Sequence, residues 1–193
     1  VDLEEWTPLP DAERSDFVLW NKTRIDPVCD PTPVALLARA LPSVGFVTTF
    51  LPAGEQPLRN VSMTGTLPFE ESKSLVRAAG AYLCTTRETF GIGTLEALAS
   101  GVPVVGYRWG GQREIVEHGV DGWLVEPGDI TGLADGVRWA LGNVEAQQAA
   151  RRKAEQFRVR DSIAQYAAIY AEALARRREA AENPRTSIIV TTY

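Results

Sequence analysis

Two carboxylates eight positions apart, Glu88 and Glu96, flank a short stretch with two glycines, Phe90-Gly91-Ile92-Gly93-Thr94-Leu95. An apolar run, Ala81 to Cys84, precedes it, and an alanine-rich helical run ending at Ser100 follows. The pattern reads as strand, glycine turn and helix start. Without β-carbons, Gly91 and Gly93 let the backbone turn tightly and let a ligand approach closely. This happens where a helix N-terminus leaves several N–H groups unpaired, a place that attracts anions and phosphate above all. Glu88 falls in the loop and Glu96 in the early turns of the helix. Two carboxylates beside free amides would hold a polyhydroxyl group and a phosphate together. Any doubly wound fold, however, places glycines at such a turn, and acidic residues near a helix N-terminus also favour the macrodipole. Taken by themselves, the glycines read as the structural turn that any such fold needs.

The elements that must position this turn follow from periodicity. Phe17-Val18-Leu19-Trp20 is a short apolar run that reads as a first strand, followed by the cations Lys22 and Arg24. Strand C-termini are where ligands bind in open α/β sheets. After the proline-rich Asp30-Pro31-Thr32-Pro33, Val34, Leu37, Ala38 and Leu41 recur at helical spacing. Gly45 to Phe50 and Asn60 to Gly65 read as strands two and three. The loop between them is too short for an ordinary crossover helix, which predicts a trimmed connection.

A helix opens at Pro68-Phe69-Glu70-Glu71, and Ala81 to Thr86 forms the fourth strand. Val102-Pro103-Val104-Val105-Gly106 gives a fifth strand, with Pro103 expected at its first residues. A second glycine turn, Tyr107 to Gly111, precedes a short helix from Gln112 to Glu117. Gly122 to Val125 is the sixth strand, and Leu133, Val137, Ala140 and Leu141 mark the next helix. Strands alternating with helices at this spacing predict a Rossmann-like α/β fold, a doubly wound parallel sheet of about six strands. A long C-terminal helical segment follows, with an apolar stripe of Ile163, Tyr166, Ala167, Tyr170 and Leu174 that needs a surface to cover.

Composition bounds the function. The 193 residues suit one good-sized core, with 45% hydrophobic and 23% charged residues. The net charge of −5 argues against a general nucleic-acid binder, which presents a basic face to phosphates. No apolar run reaches membrane-spanning length, and Val1 to Glu5 carry no signal-peptide pattern; the expected location is cytoplasmic, with peripheral membrane association left open. The cysteines Cys29 and Cys84 lack metal-type spacing, and one histidine, His118, is too little for a His-based site, so no metal is expected. Cys84 reads as a small buried residue and His118 as a surface residue near a helix end.

Glu88-Thr89-Phe90-Gly91-Ile92-Gly93-Thr94-Leu95-Glu96-Ala97, followed by Ser100-Gly101-Val102-Pro103-Val104-Val105-Gly106, closely resembles the Glu-x7-Glu signature of the retaining family-4 glycosyltransferases (glycosyl transferases group 1). Gly110 to Val116 and Gly119 to Asp129 resemble the next family blocks in order. Thr64 to Leu67 with Leu75 to Ala81 resembles the segment before the signature, and Phe157 to Tyr170 resembles the terminal helix. The resemblance covers roughly residues 1–175.

The resemblance implies a GT-B fold, two Rossmann-like domains facing a cleft, of which this chain would be the C-terminal, donor-binding half. Residues 1–15 would be the interdomain linker or arm and 16–143 the nucleotide-sugar-binding domain. Residues 144–183 would form C-terminal helices. Residues 184–193 would be a tail similar to the first strand of family-2 glycosyltransferases, which suggests a second transferase domain in the parent polypeptide. The N-terminal GT-B domain, carrying most of the acceptor site, would be the missing partner.

The implied activity is transfer of a sugar from a nucleotide diphosphate sugar to a glycan, lipid or small-molecule acceptor, with retention of anomeric configuration and no cofactor. Glu88 would accept hydrogen bonds from the donor sugar and help stabilise positive charge at its anomeric carbon. Glu96 would bind the ribose. The amides of Phe90, Gly91, Ile92, Gly93, Thr94 and Leu95 would hold sugar hydroxyls and diphosphate, and backbone near Thr66 and Leu67 would meet the base. The family usually has a glycine and an arginine after the first strand and a lysine a few residues on. Here Asn21, Lys22 and Arg24 stand in that region, so Lys22 and Arg24 would take the diphosphate. The isolated chain is expected to bind donor weakly and transfer nothing. The rival readings are a non-catalytic nucleotide-sugar-binding or protein-interaction module of the same fold, and another GT-B-like enzyme such as a sugar-nucleotide epimerase.

Overall fold

The computed structural model describes residues 1–10, 13–87 and 89–182. Six strands form one parallel sheet: β1 (Phe17–Trp20), β2 (Gly45–Thr48), β3 (Val61–Met63), β4 (Ala81–Cys84), β5 (Val104–Tyr107) and β6 (Gly122–Val125). Their spatial order is β3-β2-β1-β4-β5-β6, the doubly wound arrangement. The switch point lies between β1 and β4, where Val18 pairs with Ala81 and Leu19 with Tyr82. β4 and β5 are buried along their whole length, as parallel strands covered on both faces must be.

The helices are α1 (Thr32–Ala40), α2 (Phe69–Ala78), α3 (Ile92–Ala99), α4 (Gln112–Ile115), α5 (Ile130–Ala140) and α6 (Val144–Ala154). One core layer joins Val34 and Leu37 of α1 to Leu133 and Val137 of α5 over Val18, Leu83 and Val105. The second joins Val76 of α2, Leu95 and Leu98 of α3, and Ala150 and Ala154 of α6 over Leu19, Tyr82 and Val104. β2 and β3 are joined by residues 49–60 without a helix, so the trimmed connection is present. Pro103 lies just before β5, and its carbonyl accepts the Tyr82 N–H at 3.0 Å, so the proline costs the ladder no donor.

Local sequence explains the helix ends. Asp129 and Asn143 cap α5 and α6, accepting from the Gly132 and Ala146 amides at 2.8 and 3.0 Å. α1 begins behind Pro31 with a second proline in its first turn, where a missing N–H costs nothing.

Residues 1–10 are tied to the body. Trp6 is buried in the second core layer, edge-on to Phe69 at 6.0 Å. The Arg151 guanidinium donates to the carbonyls of Trp6 at 2.7 Å, Ala99 at 2.6 Å and Leu3 at 3.2 Å. Arg14 adds to the same C-terminal end of α3, donating to the Ser100 and Gly101 carbonyls at 3.0 and 2.8 Å.

The chain divides into two compact units, Val1–Phe157 and Arg158–Tyr193. The second contains α7 (Val159–Glu182), on which Ile163, Tyr166, Tyr170 and Leu174 are all exposed. The tail expected to be a strand of a following domain lies outside the described residues.

Candidate functional site

The strands end together on one side of the sheet, and the site is built from the residues just past those ends. After β4 the chain turns into α3 through Gly91, whose φ of 98° is left-handed and would strain any residue with a β-carbon. Among the described residues no side chain caps α3, whose first-turn amides lie at the site. Phe90 and Ile92 are 58% and 63% exposed, and such large apolar residues at a turn form a surface for something to cover.

Gly93 is required by a close approach. A β-carbon there would lie 2.6 Å from the Tyr82 hydroxyl and 3.8 Å from Lys22 Nζ. Lys22 in turn donates to the Tyr82 hydroxyl at 3.3 Å and lies over its ring, 5.6 Å from the centroid. The lysine that follows β1 is thus brought to the N-terminal turn of α3, across the switch point. Its backbone is pinned as well. The Lys22 N–H donates to Thr49 Oγ1 at 2.9 Å, and the Thr49 hydroxyl donates to the Lys22 carbonyl at 2.7 Å.

Lys22 and Thr23 stand between two cavities. The first is lined by Asn21, Lys22, Thr49, Thr64, Thr66 and Leu67 among others, so the structure brings Thr66 and Leu67 to the same hollow as Lys22. In its wall Asn21 donates to Ser72 Oγ at 3.1 Å, while its own Oδ1 is buried without a partner among the described residues. The second cavity, open to solvent, has Lys22, Arg24, Val28, Cys29, Thr86, Arg87 and Thr89 among its lining residues.

Arg24 does not join Lys22 at the turn. It pairs with Asp26 at 2.6 Å and is mostly exposed. Asp26 orders this loop by accepting from the amides of Val28 and Cys29, both at 2.8 Å. The bond from Cys29, followed by those from Val28 and Arg24, holds its carboxyl below the usual carboxylate range. Glu96 is half-buried one turn into α3 and is engaged in a contact of its own. Glu88 lies outside the described residues.

Three residues not expected from the sequence complete the site's frame. Trp109 Nε1 and Gln112 Nε2 both donate to the Thr86 carbonyl, at 2.7 and 3.3 Å, clamping the backbone two residues before Glu88. Gln112 is fully buried and also donates to Cys84 Sγ at 2.8 Å. The third is Arg87, whose guanidinium lies 5.0 Å from the Trp109 ring centroid. Arg87 could have been found by the rule that selects Lys22 and Arg24, a cation just past a strand. Trp109 and Gln112 carry no local signal, because their target is 23 to 26 positions upstream.

The Glycosyl transferases group 1 family matches residues 53–157, which is more than half of the chain. The chain belongs to this family. It is 40% identical over 97 residues to N-acetyl-alpha-D-glucosaminyl L-malate synthase of Bacillus anthracis, covering 48% of this chain and 26% of that protein. Among solved structures it resembles Anabaena HepE in complex with UDP-glucose, with a TM-score of 0.71 and 22% identity over 89% of this chain and 56% of the other. The C-terminal domain of a group 1 glycosyl transferase from Francisella tularensis gives a TM-score of 0.66 at 19% identity, over 82% of this chain and 99% of that one.

This glycosyl transferase chain therefore spans about a quarter of that synthase and just over half of HepE. Its fold is the Rossmann-like half of a GT-B enzyme. Among the described residues no helix is long and apolar enough to cross a membrane. No group of three or more His, Cys, Asp or Glu residues that could hold a metal occurs among them either.

Proposed function

We propose that this chain is the donor-binding domain of a retaining family-4 glycosyltransferase, which moves a sugar from a nucleotide diphosphate sugar to an acceptor. The observation that carries the reading is the placement of Lys22 Nζ against Tyr82 and the Gly93 turn, at the α3 N-terminus and the sheet's switch point. A cation beside the N-terminal amides of a helix suits a diphosphate. The cavity lined by Thr66 and Leu67 takes the nucleoside, and Glu96 takes the ribose hydroxyls. HepE, of like fold, was solved with UDP-glucose, which supports a uridine nucleotide as the first probe.

In this reading Glu88 accepts hydrogen bonds from the donor sugar. As the bond from the anomeric carbon to the diphosphate breaks, the electron pair leaves with the diphosphate, and positive charge grows at the carbon within reach of the Glu88 carboxylate. The amides from Phe90 to Leu95, with Lys22, offset the negative charge on the leaving group. The acceptor hydroxyl oxygen then bonds to the same face and gives its proton to the departing diphosphate oxygen, which keeps the anomeric configuration. The acceptor site would be supplied largely by an N-terminal GT-B domain.

The test is sugar transfer by a polypeptide in which this chain is paired with its acceptor-binding half, using UDP-, GDP- and ADP-sugars, with the product's anomeric configuration read by proton coupling. A product of unchanged configuration, and loss of turnover in Glu88→Ala, are expected. Inversion would refute the retaining assignment, and full activity of the variant would remove Glu88 from the mechanism.

A further inference from the structure

Three cations gather at the second cavity. Lys22, Arg24 and Arg87 all line it, and no carboxylate is among its described lining residues, in a chain whose net charge is −5. The cations are differently committed. Lys22 is held toward the α3 turn by Tyr82, and Arg24 is paired with Asp26. Arg87 has no carboxylate partner among the described residues. Its guanidinium is instead supported by the Trp109 ring, and its backbone N–H donates to the Val28 carbonyl at 3.3 Å, across the cavity's other wall.

That support is itself rigid. Trp109 is fixed by its indole bond to the Thr86 carbonyl and by an edge contact with Tyr107 at 5.3 Å. An arginine stacked on an anchored ring keeps its planar fork of donors available and loses little freedom on binding, the arrangement suited to a carboxylate, phosphate or sulfate. Because Thr66 and Leu67 line the first cavity and Lys22 stands between the two, the second cavity lies on the far side of Lys22 from the nucleoside hollow.

We propose that Arg87, presented by Trp109, binds a second anionic group, separate from the donor diphosphate and carried either by the transferred sugar or by the acceptor. This rests on the donor-domain reading for the position of the diphosphate. Arg87 thereby selects charged over neutral substrates.

The test follows the Trp109 indole N–H of the full 193-residue chain by 15N NMR, assigned with Trp109→Phe. Inorganic phosphate is titrated into protein saturated with UDP. It should shift the indole signal in the wild type, and Arg87→Gln should weaken phosphate about tenfold or more, the value of one charged hydrogen bond. UDP affinity should change less than about twofold in the same variant, and Arg87→Lys should fall between, having charge without the fork.

Two pairs of probes separate the sources. A preference for UDP-glucuronate over UDP-glucose, lost in Arg87→Gln, assigns the anion to the transferred sugar. A preference for glucose 6-phosphate over glucose in the UDP complex, lost in the same way, assigns it to the acceptor. The proposal falls if UDP and phosphate weaken by the same factor, because Arg87 would then belong to the diphosphate grip. It falls equally if phosphate affects wild type and variant alike, or if neither charged sugar surpasses its neutral counterpart. Repeating the phosphate titration without nucleotide keeps Arg87 testable should UDP not bind, a result that would count against the donor-domain reading instead.

Discussion

Gly93 and Tyr82 should be energetically coupled through a single oxygen atom. In Gly93→Ala the new β-carbon would stand 2.6 Å from the Tyr82 hydroxyl, closer than real contacts allow, while the next atom, Tyr82 Cζ, lies at an ordinary 3.5 Å. Tyr82 is buried at the sheet's centre and cannot swing away. The overlap should cost about 1–3 kcal/mol, as overpacking does. Against this, alanine is favoured over glycine inside a helix by about 0.5–1 kcal/mol. In Tyr82→Phe the oxygen is gone and only the helical gain remains.

Gly93→Ala is therefore expected to destabilise the wild type or leave it unchanged, and to stabilise Tyr82→Phe, with a coupling of about 1–3 kcal/mol. Urea denaturation of the four proteins measures it. Tyr82→Phe also frees Lys22 from its hydroxyl partner, so UDP affinity should fall by about twofold to tenfold. Equal effects of Gly93→Ala in both backgrounds, within about 0.5 kcal/mol, would refute the claim that the hydroxyl sits against the glycine turn.

Other consequences rest on named contacts. Lys22→Ala should weaken nucleotide binding about tenfold or more by calorimetry, and Arg24→Ala should weaken it less, because Arg24 is committed to Asp26. Asp121 is 1% exposed, and burial raises its carboxyl above the usual range, opposed by the Glu117 N–H and by Lys153. With its folded value raised, the stability it contributes is present below the unfolded value and lost as pH rises through the folded one. Wild type should therefore gain on Asp121→Asn when pH falls from about 7 to about 4, and the opposite trend in urea midpoints would show that the Lys153 pair dominates. Arg151→Ala leaves three carbonyls without their donor and should cost about 2–4 kcal/mol, with faster proteolysis ahead of Leu9 as the direct reading.

Much of the sheet is legible in the sequence because its signals are local. Apolar runs such as Ala81 to Cys84 alternate with helical repeats such as Leu133, Val137 and Ala140, and parallel connection follows from that alternation. The glycine turn is legible for the same reason, since strand, Gly91 and helix are neighbours in sequence. Apolar runs overstate strand length where backbone pairing stops early, as at β2, which ends at Thr48 rather than Phe50.

The frame of the site is less legible because it depends on long-range contacts. Lys22 stands out by its place after β1, yet its position at the α3 turn depends on Tyr82, sixty residues away. Residues 1–10 lack periodicity, and where Trp6 packs depends on distant partners such as Phe69 and Arg151. The clamp of Trp109 and Gln112 on Thr86 joins two loops with no shared pattern.

In the proposed function a nucleotide diphosphate lies over the N-terminus of α3 beside Lys22. Amide chemical shifts of the 15N-labelled chain, recorded during titration with UDP, GDP and ADP, test it most directly. One of these nucleotides should move the amides from Gly91 to Leu95 together with those of Lys22, Thr66 and Leu67. Perturbations confined to another face of the sheet, or none with any of the three nucleotides, would contradict it.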